Sequence, residues 1–164
     1  MFSLEIETLA RLLIDEARER RLRVVTAESC TGGLVGGALV GVAGSSDVYE
    51  RGFITYSNRA KEELLGVPGD LIADAGAVSE PVARIMAEGA LAAANAHVSV
   101  AVTGVAGPGG GTALKPVGLV HFATARANGP IVHRVERMGD IGREAVRLAS
   151  VAIALEMLRD RIAA

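Results

Sequence analysis

Short apolar segments alternate with longer amphipathic segments along this chain of 164 residues. Residues 22–26, 51–56 and 98–103 are rich in β-branched and apolar side chains, as strands are. Residues 4–20 instead carry apolar side chains at helical spacing with charged residues between them, which predicts an amphipathic helix. Strands that alternate with helices in this way pack as a sheet with helices on its faces.

A hairpin completes this sheet near the end of the chain. Asn128-Gly129 is a strong short-range signal for a tight turn, and it lies between apolar segments at residues 117–125 and 131–138. These two segments are predicted to pair antiparallel. The sequence therefore predicts a single-domain α/β fold over residues 1–164, a three-layer α/β/α sandwich around a mixed sheet with one antiparallel hairpin.

Capping residues mark the predicted helix starts. Ser57 or Asn58 suits the N-cap of a helix through residue 65. Ser79 precedes Glu80 and Pro81, which is typical of an N-cap followed by proline in the first turn. Asp140 is predicted to cap the last helix. The apolar helix predicted over residues 31–43 and the alanine-rich one over 81–96 could bury faces against a second copy, which suggests a homodimer.

Charge and cysteine content restrict the classes of function. The 17 cations are spread among 19 carboxylates, so the chain offers no broad basic footprint for direct nucleic-acid binding. Charged residues interrupt the first 21 residues, so no signal peptide or membrane span is predicted there. Cys30 is the only cysteine, which excludes an internal disulfide and a C-x-x-C metal site. We expect a cytoplasmic protein that binds no membrane.

Lysine is the candidate base in this sequence. Only Lys61 and Lys115 are lysines among the 17 cations. If Ser57 is the N-cap, Tyr56 and Lys61 occupy the N′ and N4 positions that a hydrophobic staple brings together. Burial and the helix dipole would both lower the pKa of a lysine placed there. The alternative, an exposed Lys61 beside Glu62 on a solvated helix face, stays open.

Serine is the candidate nucleophile, in the turn Gly44-Ser45-Ser46, where backbone N–H groups can converge near a hydroxyl. A serine needs a base within hydrogen-bond reach. None of His97, His121 and His133 is an obvious partner, so a Ser-His-Asp triad is not favoured.

Glycine-rich segments offer places for an anion. The loop at residues 104–111 could let backbone N–H groups approach a phosphate, with Lys115, Arg143 and Arg147 as further partners. It matches no standard nucleotide-binding fingerprint, so a plain flexible loop stays an alternative. Residues 31–33 form a second possible anion nest at a helix start. The neighbouring Cys30 is interpreted as a small buried cysteine, with a reactive thiolate as the alternative.

Five ordered blocks of sequence carry a family resemblance. They are Thr26-Ala27-Glu28-Ser29-Cys30-Thr31-Gly32-Gly33, Gly44-Ser45-Ser46, Glu50-Arg51-Gly52-Phe53-Ile54-Thr55-Tyr56-Ser57-Asn58, Gly76-Ala77-Val78-Ser79-Glu80-Pro81 and Thr103-Gly104-Val105-Ala106-Gly107-Pro108. In these blocks the chain resembles the CinA carboxy-terminal domain family, over about residues 5 to 160.

This resemblance implies hydrolysis of the carboxamide of nicotinamide mononucleotide to nicotinate mononucleotide and ammonia, in pyridine nucleotide salvage. It implies Ser46 as nucleophile, Lys61 as base and Tyr56 as a hydroxyl that assists proton transfer, with no metal and no cofactor. Backbone amides at residues 44–46 would hold the oxyanion, and Gly104, Gly107 and Arg143 the phosphate. The full set of expected substrate-binding residues is Ser29, Thr31, Gly32, Gly44, Ser45, Thr103, Gly104, Gly107 and Arg143.

Two other functions remain open at this point. One is a non-catalytic nucleotide-binding or regulatory module linked to competence or DNA damage, which would use the same glycine loops. The other is an amidase that acts on a different pyridine or small amide. Intact Ser46, Tyr56 and Lys61 favour an enzyme.

Overall fold

A computed structural model describes residues 1–164 as six α-helices and five β-strands. The helices are α1 (Leu4–Glu19), α2 (Leu34–Val40), α3 (Asn58–Leu65), α4 (Gly69–Ala75), α5 (Glu80–Ala94) and α6 (Arg143–Ala163). The strands are β1 (Val24–Glu28), β2 (Tyr49–Ile54), β3 (Val98–Gly104), β4 (Leu119–Arg126) and β5 (Val132–Arg137). A 3₁₀ turn at Ser45–Asp47 leads into β2.

The strands form one mixed sheet in the order β2-β1-β3-β4-β5. β1 pairs parallel with β2 on one side and β3 on the other. β4 pairs antiparallel with both β3 and β5, which confirms the predicted hairpin.

Alternate strand residues face two separate cores. On one face Val98, Val100 and Phe122 pack against α1, α2 and α6. On the other face the smaller Ala101 and Ala123 let α5 approach closely, with α3 and α4 beside it. The three-layer α/β/α sandwich predicted from the sequence is confirmed.

Three local features differ from the sequence predictions. No helix was predicted between residues 66 and 78, but α4 begins directly after Pro68. The N-cap of α6 is Gly142 rather than Asp140, so that helix begins at Arg143. Ser79 is the N-cap residue of α5, but its hydroxyl donates to the Gly76 carbonyl at 2.8 Å instead of capping the helix.

The topology brings several loops to one edge of the sheet. β1, β2 and β3 are parallel, so they all end at the same edge. The chain leaves β1 toward β2 and leaves β3 toward β4, on opposite sides. Such a switch point opens a crevice between the carboxyl ends of the two central strands, where α/β proteins bind ligands. No helix in this fold combines the length and the hydropathy of a membrane-spanning segment.

Candidate active site

A pocket of about 520 Å³ occupies the crevice at this switch point. Residues from five loops or element ends meet there, after β1, β2 and β3, before α5 and at the start of α6. The lining residues are Ser29, Cys30, Tyr56, Asn58, Lys61, Ala77, Val78, Thr103, Gly104, Val105, Ala106, Gly107, Gly109, Gly110 and Arg143.

Lys61 lies at the base of this pocket with only 1% of its surface exposed. Its ammonium nitrogen donates to the Ser29 hydroxyl at 3.0 Å and to the Thr55 and Tyr56 carbonyls at 2.9 and 3.3 Å. It forms no salt bridge. Burial therefore lowers the pKa of Lys61, and the nearby Cys30 opposes this shift only in part. The alternative of an exposed lysine is excluded.

The start of α3 fixes Lys61 in this position. Ser57 is the N-cap, as predicted, and its hydroxyl accepts a hydrogen bond from the Ala60 N–H at 3.0 Å. Tyr56 and Lys61 therefore occupy the N′ and N4 positions. Their contact runs through the Tyr56 carbonyl, whereas the phenol lies at the pocket rim.

Ser29 is held in a turn that is fixed on both sides. Its N–H donates to the Val102 carbonyl of β3 at 2.9 Å. The preceding Glu28 is buried, and its two carboxylate oxygens accept from the Val35 and Gly36 N–H groups at 2.9 and 3.0 Å. This carboxylate joins the end of β1 to the first turn of α2. The turn therefore presents the Ser29 hydroxyl to Lys61 from a rigid support.

These contacts of Glu28 contradict the anion nest expected at residues 31–33. Glu28 already occupies the α2 N–H groups that would bind an anion, because they donate to its carboxylate. Thr31 and Gly32 lie outside the pocket lining. Cys30 is a free, buried cysteine, and burial raises the pKa of its thiol to about 11. The reading as a buried cysteine is confirmed.

Arg143 and the glycine-rich loop form the rim of the pocket. The Arg143 guanidinium donates to the Gly107 carbonyl at 2.9 Å and to the Tyr56 hydroxyl at 3.2 Å. Thr103 donates to the Ala77 carbonyl at 2.9 Å and ties the end of β3 to the loop before α5. The N–H groups of Ala106 and Gly107 make no hydrogen bond within the chain. They are free to bind an anion beside the guanidinium.

The structure does not bring Ser46 to Lys61. Gly44, Ser45 and Ser46 belong to the turn before β2, whereas Lys61 follows the other end of that strand. The six residues of β2 span roughly 20 Å at about 3.3 Å each. Gly44 instead contacts Arg18 of α1 through its carbonyl, at 2.9 Å. The pairing and the oxyanion site expected at residues 44–46 are therefore corrected, and Ser29 is the serine beside the lysine.

Sequence reasoning also missed lining residues. Asn58, Ala77 and Val78 were not named as site residues, although they belong to the blocks of the family resemblance and line the pocket. The structure contains no cluster of three or more side chains that could hold a metal ion.

The fold and the pocket define a small α/β protein with a buried lysine–serine pair at the switch point of its sheet. The chain belongs to the CinA family by its CinA C-terminal domain, whose family model matches residues 6–162. The resemblance inferred from the five sequence blocks is confirmed.

Individual relatives agree with this assignment. The chain is 48% identical over 155 residues to the nicotinamide-nucleotide amidohydrolase PncC of Escherichia coli K12, covering 94% of this chain and 93% of that protein. It is 50% identical over 159 residues to a CinA-like protein of Synechococcus sp. RCC307, covering 96% of this chain. The chain spans only 38% of that relative's length and 32% of a Mycobacterium sp. MCS CinA-like protein.

Solved structures show the same architecture. The competence/damage inducible protein CihA from Agrobacterium tumefaciens superposes with a TM-score of 0.97 at 53% identity, covering 100% of this chain and 99% of that one. A CinA superfamily protein from E. coli superposes with a TM-score of 0.89 at 37% identity, covering 94% of this chain and 89% of that one.

Proposed function

We propose that this protein hydrolyses the carboxamide of nicotinamide mononucleotide to nicotinate mononucleotide and ammonia, as a cytoplasmic step of pyridine nucleotide salvage. The observation that carries the proposal is the buried Lys61 ammonium, which lies 3.0 Å from the Ser29 hydroxyl in an open pocket. The similarity to PncC of E. coli over nearly the whole of both chains supports the choice of substrate.

In the proposed mechanism Ser29 is the nucleophile. Neutral Lys61 accepts the proton of the Ser29 hydroxyl as the oxygen attacks the carboxamide carbon. The protonated lysine then donates to the leaving nitrogen, and ammonia departs as the acyl-enzyme forms. Lys61 next activates a water molecule that releases the nicotinate product. The buried position of Lys61 suits this role, because burial favours the neutral amine.

The rim of the pocket would bind the phosphate of the substrate. Arg143 offers a charged donor, and the free N–H groups of Ala106 and Gly107 lie in the adjoining loop. The Tyr56 hydroxyl contacts Arg143, so it would orient this guanidinium. Tyr56 also remains our candidate for assisting proton transfer once the substrate closes the pocket.

The experiment is an assay of ammonia and nicotinate mononucleotide released from nicotinamide mononucleotide. We expect Lys61→Arg to lower kcat by about 10²–10⁴-fold, the range that positioned acid–base groups contribute. Arginine keeps the charge but cannot be deprotonated. Ser29→Ala removes the nucleophile and should lower kcat at least as much. Ser46→Ala is the matched serine control, and we expect it to keep wild-type activity because Ser46 lies at the other edge of the sheet.

Loss of activity in Ser46→Ala, with full activity in Ser29→Ala, would reject Ser29 as the nucleophile. A wild-type protein that binds nicotinamide mononucleotide without hydrolysing it would instead support a regulatory nucleotide-binding module.

A further inference from the structure

Arg147 lies in α6, outside the pocket lining, and contacts the turn that follows Ser29. Its Nε–H donates to the Cys30 carbonyl at 3.0 Å, and a terminal nitrogen donates to the Thr31 carbonyl at 3.3 Å. It forms no salt bridge. Guanidinium groups usually bind carboxylates or phosphates as a fork. Here the fork binds two successive backbone carbonyls.

These bonds fix the directions of the neighbouring N–H groups. A trans peptide unit is planar, so its N–H points away from its C=O. The carbonyl of Cys30 points at Arg147, and the N–H of Thr31 therefore points away from it. The carbonyl of Thr31 is held in the same way, and the N–H of Gly32 in that peptide unit donates back to the Ser29 carbonyl at 3.0 Å. This last bond sets the direction of the Cys30 N–H.

One backbone donor beside the nucleophile is left unpaired by this arrangement. The N–H group of Cys30 donates to no other residue. Cys30 directly follows Ser29 and lines the pocket beside it, whereas Thr31 is buried outside the lining. A preoriented N–H group next to the nucleophile is what a tetrahedral intermediate requires for its oxyanion.

We propose that Arg147 is a positioning residue that holds the turn after Ser29 so that the Cys30 N–H serves as the oxyanion donor of this site. The proposal rests on the proposed amide hydrolysis with Ser29 as nucleophile. When Ser29 attacks, the carboxamide oxygen gains negative charge and accepts a hydrogen bond from the Cys30 N–H. The neutral carbonyl re-forms when ammonia leaves.

The charge of Arg147 favours the same outcome. Its guanidinium partly opposes the rise that burial causes in the pKa of Cys30, so its positive field reaches the residue after Ser29. Arg143 lies one turn earlier on α6 and contacts the rim instead. Arg143 would therefore bind the phosphate, and Arg147 would position the turn that binds the oxyanion.

The test compares kcat and KM for nicotinamide mononucleotide in three arginine variants of α6. We expect Arg147→Ala to lower kcat by about 10²-fold, close to the loss of one oxyanion donor, with KM little changed. Arg143→Ala should mainly raise KM. Arg159→Ala is the matched control with unchanged kcat and KM, since Arg159 pairs with Glu16 of α1 at 2.5 Å.

Chemical rescue separates positioning from mere support of the fold. Added methylguanidinium should restore part of the kcat of Arg147→Ala but not that of Ser29→Ala. Arg147→Lys keeps the charge without the fork, and an intermediate kcat is expected from it.

Unchanged kcat in Arg147→Ala, in a wild-type protein that hydrolyses the substrate, would overturn this proposal alone. A kcat loss that follows a lowered melting temperature and resists rescue would overturn it as well. If the wild type does not hydrolyse the substrate, the proposed function itself is rejected before any variant is compared.

Discussion

Lys61 is one of the largest fully buried side chains of the protein, and it has only uncharged oxygen partners. An unpaired buried ammonium is unfavourable, and a protein tolerates it mainly by shifting the amine toward its neutral form. A purely structural position would be better filled by an apolar side chain. The free energy required to bury Lys61 therefore favours a catalytic role for this residue.

The pH dependence of hydrolysis follows from this burial. The neutral amine is the active base, and burial lowers the pKa of Lys61 from the ordinary 10.5. We expect kcat/KM to rise with pH and to level off below pH 10.5, because the neutral fraction saturates above the lowered pKa. Steady-state assays across pH would measure this, with Tyr56→Phe keeping the same ascending limb. A rise that continues beyond the ordinary lysine value would contradict Lys61 as the base.

The sequence identified Lys61 but not its serine. Ser29 and Ser46 both lie in turns that adjoin glycine, so their local sequences look equally suitable. What separates them is the end of the sheet at which each turn lies, which depends on strand direction and pairing. Lys61 was identifiable because capping chemistry is local, and Ser57 sets its position within one helical turn.

At the scale of elements, the contact between α3 and α5 positions the lysine. α3 carries Lys61, and its last residue, Leu65, packs on α5 at Gly89. A Cβ at Gly89 would lie 2.0 Å from the Leu65 carbonyl oxygen, far inside contact distance. The absence of a side chain at Gly89 therefore allows the two helices to approach.

Gly89→Ala should lower stability and activity together. Alanine favours a helix by up to about 1 kcal/mol over glycine, but the clash with the Leu65 carbonyl would displace α3 and with it Lys61. We expect a net loss of roughly 2–3 kcal/mol in the free energy of unfolding, typical of overpacking. Gly37→Ala in α2 is the control, because its Cβ would only contact Phe2 at 3.8 Å. Urea denaturation that shows both variants stabilised would contradict this account.

Helices and strands with clear local sequence signals were predicted correctly. Those whose local signals favour a different structure were not. The helix over Asn58–Leu65 and the antiparallel pair β4–β5 were predicted from a serine cap and an Asn-Gly turn. α4 was missed because Pro68 and Gly69 usually end helices, whereas here they stand at its start. The cap of α6 was assigned to Asp140, but the chain turns at Gly142 with a positive φ of 102°.

At the scale of the whole molecule, the direction of the strands decides where the pocket lies. Parallel strands must end together, so residues far apart in sequence, such as Ser29, Thr103 and Arg143, converge at one edge. The sequence could not show which side chains would touch there. The homodimer inferred from apolar helices stays a prediction.

Strands β4 and β5 carry a coupled pair of histidines near the start of α5. His121 Nδ1 lies 2.9 Å from His133 Nε2, and the rings stack with centroids 5.1 Å apart. Glu80 Oε2 lies 3.6 Å from the other nitrogen of His133. Burial and the neighbouring His133 lower the pKa of His121 to about 4, with Lys115 acting in the same direction. Burial lowers the pKa of His133 too, although Glu80 opposes it.

This pair should make the folded protein sensitive to mild acid. Because the folded pKa lies below the ordinary 6.5, the neutral histidines favour the fold above pH 6.5, and this contribution is lost as pH falls through about 4. Unfolding binds protons in this window, so the free energy of unfolding should decrease between about pH 7.5 and about pH 5. His121→Gln keeps a hydrogen-bonding side chain but does not titrate, so its decrease over the same interval should be smaller. Urea denaturation of both proteins at the two pH values measures the difference, and equal decreases would show that the pair does not control acid stability.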